Sequence, residues 1–525
     1  MKDAFYELAD ELGVLIWQEF MFSDADYALA VEERPNSFLE NVVAETQHQA
    51  RRLSSHASVA MWVGNNEITP EGFCKQPTCE WPHNSWSRLF LGAVLGTVIE
   101  EDNTRPIWPS GPSDGWLSGV DVATGLPDGS PLRLRHRPLH EQETGRTIHE
   151  AHTYYDCVTT PCDVLDASIF PSPSFASEFG WLGLDDTRAY TSEVDWSLLS
   201  PLMVHRQNKN ARRKNSMLQQ RLLHTFPRDA GAINATDPSQ REAQFRRVVY
   251  LSQLLQAIGL EAEATHYRRA RELRLGDQPA AGTMGYMMWM LNSPYPTMTW
   301  GAIDVTGKWK VAQHAVARAS ASVLLSAAIY RRTHGLLVVH LANDRASALT
   351  GAVTVDVWHT SGTRKTVATL PTLVHPHAGA TLLQVPIAQA LASAGCSPAE
   401  RCYVHARLVA SGVDETATTA TTCWLAPLSA VSAALPPAHV LANVSAARGS
   451  MVVSLRSSVV AAFVTVSSTV QGRFDRNGVT LLPHNLAQLR FLPQHADGPL
   501  EKMSSDEFQR TLRVDALNLA PAQHH

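Results

Sequence analysis

The chain has 525 residues, 44% hydrophobic and 18% charged, which is enough to bury more than one core and suits roughly two to four domains. A net charge of −6 is too mild to mark nucleic acid or an anionic membrane as a partner. No apolar run approaches the ~18 residues of a membrane span; the longest, 319 to 330 and 458 to 466, are short and interrupted by serine.

Residues 3 to 12 set Ala4, Phe5, Leu8, Ala9 and Leu12 on one helical face, and Gly13 stops the helix. VLIWQEF, residues 14 to 20, reads as a buried strand with Trp17, Gln18 and Glu19 at its tip. A second helix opens on a capping box of Ser37 and Glu40 and turns Phe38, Val42, Val43, Ala50 and Leu53 inward until about His56. The strand Val59–Val63 follows, broken by Gly64, Asn65 and Asn66, which deliver the carboxylate of Glu67. Helix alternating with strand predicts a parallel sheet with helices outside.

Residues 70 to 86 form a Pro- and Cys-containing insertion, 86 to 101 a helix, and 116 to 147, rich in Gly, Pro and Arg, a loop. HEAHTYYDC, residues 149 to 157, holds another strand. FASEFGW, residues 175 to 181, repeats the earlier grammar: Phe175 and Ala176 finish a strand, Glu178 emerges, and Gly180 with Trp181 opens a loop. The basic cluster Arg206, Lys209, Arg212, Arg213 and Lys214 reads as a solvated loop. Ser239 and Glu242 cap a helix with Phe245, Val248, Val249, Leu255 and Ile258 inward, ending near Gly259. Residues 284 to 310 begin with an apolar strand. From about 315 the texture changes to strands without long helices, at 336 to 344, 352 to 358, 381 to 385 and 403 to 409, the signature of an antiparallel sandwich. LPPAHV near 435 leads into a smaller β-unit.

Glu67 and Glu178 both stand where a strand ends and a loop begins, the address of catalytic groups in barrel enzymes. One such glutamate is ordinarily just solvated. Two match glycoside hydrolysis, in which one carboxyl protonates the leaving oxygen and the other attacks the sugar or activates water.

WVGNNE, residues 62 to 67, and SEFGW, residues 177 to 181, resemble the two active-site motifs of β-mannosidases in glycoside hydrolase family two. The resemblance implies an α/β (TIM-type) barrel, incomplete at its N-terminus, followed by all-β immunoglobulin-like sandwich domains. It implies Glu67 as acid/base after strand four and Glu178 as nucleophile after strand seven. The implied reaction removes terminal non-reducing β-D-mannose from β-mannoside oligosaccharides with retention, using no metal and no cofactor. Asn66 is implied to bind the C2 hydroxyl, and His152 and Tyr154 to match a His-Tyr-Tyr run of strand six. A tyrosine there would hydrogen-bond the nucleophile, or else pack in the barrel wall. Trp181 and Trp289 are implied to offer apolar faces to the sugar. The family's usual Gln and Asp are replaced by Met290 and Ser293, and a further Gln by Leu182.

The implied domains are 1–314, carrying barrel strands three to eight, 315–434, an immunoglobulin-like sandwich, and 435–525, a small immunoglobulin-like domain and tail. Strands one and two and the family's N-terminal domains have no counterpart, so Met1 reads as internal to a longer protein and little turnover is expected of this length alone. Competing readings are a non-catalytic or truncated carbohydrate-binding relative and another exo-β-glycosidase of the family. The resemblance implies a lysosomal or secretory-route protein, whereas the acidic start without a signal-peptide pattern implies the cytoplasm. Seven cysteines include three close pairs without zinc-site spacing, leaving local disulfides or free thiols open. Sequons at Asn234 and Asn443 matter only on the secretory route.

Overall fold

The alternating apolar pattern of the N-terminal third folds into helix α1 (Asp3–Leu12), strand β1 (Ile16–Glu19), helices α2 (Ala28–Glu33) and α3 (Pro35–Leu53), and strand β2 (Val59–Val63). A helical stretch, Ser87–Gly96 and then α4 (Thr97–Glu101), leads to the short strand β3 (Ile107–Trp108). Strands β4 (Glu150–Tyr154) and β5 (Phe175–Gly180) lie side by side in a separate sheet. The computed structural model describes residues 1–68 (without Asp24 and Asp26), 85–112, 120–121, 126–127, 150–154, 162–190, 197–207, 214–234, 240–275, 282–332, 335–410, 417, 419–447, 449–494 and 503–520. They fall into two units: Met1–Thr153 with Pro173–Glu178, and Tyr154–Ser172 with Phe179–His525.

In the first unit β1, β2 and β3 run parallel, with Glu19 opposite Val63 and Trp62 opposite Ile107. Their outer faces pack with Val42 and Leu53 of α3 and with Leu89, Phe90 and Val94 of the later helix. That helix occupies the expected residues, but Ser87–Gly96 is wound as a π-helix. Gly13 ends α1 in the left-handed conformation, φ +66°, donating to the Ala9 and Asp10 carbonyls. The buried face of α1 differs from the expected one: Tyr6 and Ala9 are inside, while Phe5, Leu8 and Leu12 are exposed. Tyr6 sets the rotation because its hydroxyl donates to Gln18 Oε1 at 2.6 Å. Helix α3 starts two residues before the Ser37 box, with Pro35 in its first turn and no side-chain cap. Proline there loses no hydrogen bond and has its φ preset. Most of the expected insertion and loop lies outside the described residues; within 116 to 147, Val120–Asp121 pairs with Leu126–Pro127.

In the second unit the dominant helix is α5 (Arg241–Ala270), 30 residues long. Gly259 does not end it. A Cβ at Gly259 would stand 2.2 Å from Cδ2 of Trp181, so the glycine lets an indole lie against the helix. Gln240 precedes the helix without a side-chain cap, and Ser239 of the expected box lies outside the described residues. Helix α6 (Val311–Ala319) spans the expected 314/315 boundary, which therefore falls inside an element.

Beyond it, strands Val323–Tyr330, Leu336–Asn343 and Ala378–Pro386 form one sheet, and Leu349–His359, Arg364–Val374, Cys402–Ala410 and Ala420–Trp424 another. They share a core that includes Leu325, Val339, Val355 and Val404. A second set of strands over Val440–Asp515 encloses its own core, including Val453, Val464 and Phe491. The two apolar runs weighed against a membrane span are the strands Val323–Tyr330 and Ala461–Ser468, and no described helix is long and apolar enough to cross a membrane. Cys396 and Cys402 are joined, Cys162 is also disulfide-bonded, and Cys423 is a buried free thiol. Cys74, Cys79, Cys157 and most of the basic cluster lie outside the described residues.

Candidate active site

The run of small and amide residues after β2 is what aims Glu67. A Cβ on Gly64 would meet the Pro109 carbonyl oxygen at 2.5 Å, so only glycine lets the end of β2 come this close to the segment after β3. Asn65, fully buried, staples the two segments: its Nδ2 donates to Pro109 O at 2.9 Å, and its Oδ1 accepts from Ser110 Oγ at 2.7 Å and from the Ile68 N–H at 3.0 Å. Glu67 is then held at φ +57°, a left-handed conformation that costs a non-glycine residue about 1–3 kcal/mol. Its N–H donates to Gly111 O at 2.7 Å, and the Gly111 N–H donates to Asn65 O at 2.9 Å. A strained glutamate pinned from both sides has a fixed direction.

Strand β4 brings His152 to Glu67. His152 Nδ1 stands 2.7 Å from Glu67 Oε1 and 3.9 Å from Glu178 Oε2, the latter carried by β5. The Glu67, His152 and Glu178 side chains are 20%, 6% and 14% exposed. Burial opposes a charge on His152. The Glu67 bond and the charges of Glu178, Glu67 and Glu150 outweigh it, so the imidazole is held above its ordinary pKa.

Two further carboxyls, missed in the sequence, belong to this unit. Glu19 ends β1, and Glu150 precedes His152 by two on β4, which puts both members of that pair on one strand face. A side chain on Gly111 would lie 3.3 Å from Glu150 Oε1 and 3.8 Å from Glu19 Oε1. Burial and then the Glu178 charge push Glu19 up to about 7, with Glu67 adding to the effect and His152 opposing it. Trp17 shares the Glu19 face of β1, stacks on Phe175 at 5.9 Å and meets Trp108 edge-on at 5.1 Å. The signal for Glu19 was available: a carboxylate at a strand tip, as with Glu67.

The remaining expected residues divide. Asn66 is 8% exposed, its Nδ2 reaches Ser23 Oγ at 3.4 Å, and its Oδ1 is buried with no hydrogen-bond partner among the described residues. His152 was expected to bind sugar, but its Nδ1 is committed to Glu67. Tyr154 lies on β4, and its side chain is outside the described residues. Trp181 is corrected outright: 1% exposed, it donates from Nε1 to Glu263 Oε2 at 2.8 Å and carries Arg221 over its ring at 4.4 Å. It is an anchor of the second unit and has no face for a sugar. Trp289 is 39% exposed, and its backbone N–H donates to Phe179 O at 2.8 Å. Ser293 is buried and donates to Asp185 Oδ1 at 2.7 Å.

Among the described residues, Glu67, His152 and Glu178 are the donor set whose atoms all lie within 4.8 Å, near enough for one cation to touch all three. The direct His152–Glu67 bond already satisfies one contact of that set.

Residues 335–428 match a family described as a mannosidase Ig/CBM-like domain, and residues 435–519 one described as an Ig-fold domain. The β-mannosidases of Bos taurus and Capra hircus are each 29% identical to this chain over 98% of it and 54% of their own length. β-Mannosidase A of Emericella nidulans is 27% identical over 69% of the chain and 37% of its own. The fold is similar to that of the crystallised β-D-mannosidase from Dictyoglomus thermophilum, with TM-score 0.72 and 20% identity over 99% of this chain and 55% of that one. It is also similar to an Amycolatopsis orientalis exo-chitosanase, with TM-score 0.63 and 17% identity over 99% and 58%. The chain spans about half the length of the curated relatives it matches. With both sandwich domains matched and almost all of its sequence aligned, the chain is similar to β-mannosidases over nearly its whole length.

Proposed function

We propose that this chain carries the catalytic core of a retaining exo-β-mannosidase that releases terminal non-reducing β-D-mannose, with Glu67 as acid/base and Glu178 as nucleophile. One observation carries the reading: Glu67, His152 and Glu178 converge, each with an atom within 4.8 Å of the other two. Carboxyls this close suit the ~5–5.5 Å of a double displacement better than the ~6.5–9.5 Å that leaves room for an attacking water.

In the first step a Glu178 oxygen bonds to C1, the C1–O bond to the aglycone breaks, and Glu67 gives its proton to the departing oxygen. Because Oε1 of Glu67 is held by His152, the transferable proton sits on Oε2. In the second step Glu67 takes a proton from water, the water oxygen bonds to C1, and the ester to Glu178 breaks, restoring both carboxyls and the β configuration. Losing the Glu178 charge as an ester is what allows its neighbour to work as a base. The buried Asn66 Oδ1, without a partner among the described residues, is suited to accept from the C2 hydroxyl.

The same reading assigns the parallel strands of the first unit to an α/β barrel and moves the end of the barrel part past Ala319, where helix α6 ends. It also favours a lysosomal or secretory compartment, in which the Cys396–Cys402 bond persists.

The test combines a chromogenic β-mannoside, a β-glucoside control and a 2-fluoro mannosyl fluoride that traps the ester. Mannose release abolished by Glu178→Ala, with the trapped sugar on the Glu178 peptide, is the expected result. Full turnover in Glu178→Ala overturns the assignment. Mannoside binding without release or label favours a carbohydrate-binding relative, a reading motivated by the half-length match.

A further inference from the structure

We propose that Asn443 is a glycosylation site: its side-chain amide carries an N-linked oligosaccharide on the open face of the last β-unit. The inference rests on the secretory compartment proposed above and is independent of the roles given to Glu67 and Glu178.

Asn443, Val444 and Ser445 form an acceptor triplet with no proline in the middle position. They lie in the strand Val440–Ala447, which pairs on one side only, with Ser450–Ser457, and sets Asn443 opposite Ser454. Alternation along a strand decides which way each residue faces. Val440, Ala442 and Val444 turn toward the core that holds Val453 and Val464. Leu441, Asn443 and Ser445 turn outward and are exposed, Leu441 by 63%. The acceptor amide and the hydroxyl two residues on therefore share one solvent face. A bulky, hydrated oligosaccharide is tolerated only at such a surface position.

The Asn443 amide makes no side-chain hydrogen bond among the described residues, so a sugar on its Nδ2 displaces nothing. The free edge of the strand is approached by Gln509, whose Nε2 donates to Ala442 O at 3.0 Å, and a sugar on the outer face leaves that backbone contact intact. Asn234 is placed differently. Its Oδ1 accepts from Gln219 Nε2 at 3.2 Å, and Thr236 of its triplet lies outside the described residues. The Cys396–Cys402 bond and the disulfide-bonded Cys162 suit the oxidising compartments in which such sugars are attached. The donor is a polyprenyl-diphosphate oligosaccharide. In the transfer Asn443 Nδ2 bonds to C1 of its first sugar, the C1–O bond to the diphosphate breaks with the electron pair leaving on the diphosphate, and Nδ2 gives up one proton to a base.

The experiment tags the chain at its own locus, isolates it from its own cells, alkylates free thiols, and maps the peptides by mass spectrometry after peptide-N-glycosidase treatment in heavy-oxygen water. Asn443 should be read as aspartate carrying the heavy oxygen. One step of the electrophoretic shift on enzyme treatment should be lost in Asn443→Gln. Ser445→Ala leaves Asn443 in place and should lose the same step, whereas Ser445→Thr should keep it. An Asn443 peptide recovered wholly as asparagine while Cys396 and Cys402 remain joined overturns the inference and leaves the compartment standing. The same peptide with both cysteines alkylated overturns the inference together with the compartment. An unchanged shift in both Asn443→Gln and Ser445→Ala places the sugar elsewhere and also overturns it.

Discussion

His152 and Glu67 are joined through Nδ1 and Oε1 at 2.7 Å, a bond that ties β4 to the loop after β2 and engages one oxygen of Glu67. A charge-assisted bond of this kind is worth about 1.5–3 kcal/mol. His152→Gln should therefore lower kcat by roughly 10- to 100-fold with a smaller change in KM, measured on an aryl β-mannoside. The pair also has a pH signature. The folded pKa of His152 is raised, so its stabilisation is complete below the ordinary imidazole value and is lost as pH rises through the folded one. The gap in urea stability between wild type and His152→Gln should shrink from ~pH 6 to ~pH 9.

Asn65 predicts a second loss. It makes three hydrogen bonds from a fully buried position, and they hold the loop that keeps Glu67 at positive φ. Asn65→Ala leaves the Pro109 carbonyl and the Ile68 N–H without their partner, at about 1–3 kcal/mol for each unsatisfied group. A lower unfolding midpoint together with a fall in kcat of at least about tenfold is expected, because the strained glutamate relaxes. Wild-type kcat in a destabilised Asn65→Ala protein would show that the loop holds Glu67 without it.

What the sequence made legible was local. A short apolar strand broken by Gly64 or followed by Gly180 is visible in a window of a few residues, and that grammar found both Glu67 and Glu178. The role of Asn65 was not visible, because its partners Pro109 and Ser110 come from a distant segment after β3. The fate of Trp181 was equally hidden: Gly259 and Glu263 of α5, far along the chain, turn an apparent sugar platform into an anchor. The helix starts misled in a related way. Ser37 and Glu40 have capping-box spacing, yet Pro35 already provides a lower-cost start, and Tyr6 rather than the Phe5–Leu8–Leu12 stripe decides which way α1 faces. Glu19 was legible by the same rule as Glu67 and lacked only a second motif to draw attention to it.

The Trp181–Gly259 contact makes a third prediction, on stability. Gly259→Ala would place a methyl 2.2 Å from the indole, in the middle of a helix whose backbone otherwise favours alanine by about 1 kcal/mol. Overpacking costs about 1–3 kcal/mol and should win, so Gly259→Ala is expected to unfold at lower temperature than wild type. Trp181→Ala removes the ring together with its hydrogen bond to Glu263 and its contact with the Arg221 guanidinium, and a loss of about 3–5 kcal/mol is expected. The double variant should lose less than the sum, because the added methyl then has room. Calorimetric unfolding of the four proteins closes the cycle, and strict additivity would mean that the two residues do not touch.

Three histidines of the second unit set its behaviour in acid. His266, His314 and His340 are each buried, and burial first, then neighbouring arginines, brings each down to about 3. The unfolded chain binds a proton at each near ~6.5, so between ~6.5 and ~3 the unfolded state holds more protons and stability falls as pH falls. At ~pH 5 each histidine withdraws about 2 kcal/mol, and together they give a slope of about 4 kcal/mol per pH unit below ~6. His314 lies in α6, and its Nδ1 has no hydrogen-bond partner among the described residues to lose on replacement by Gln. That variant should cost little at neutral pH while reducing the acid slope by about one proton's worth, ~1.4 kcal/mol per unit. Urea midpoints taken from neutral pH down to ~pH 4 test this; parallel wild-type and variant curves would show that His314 is protonated in the folded protein after all.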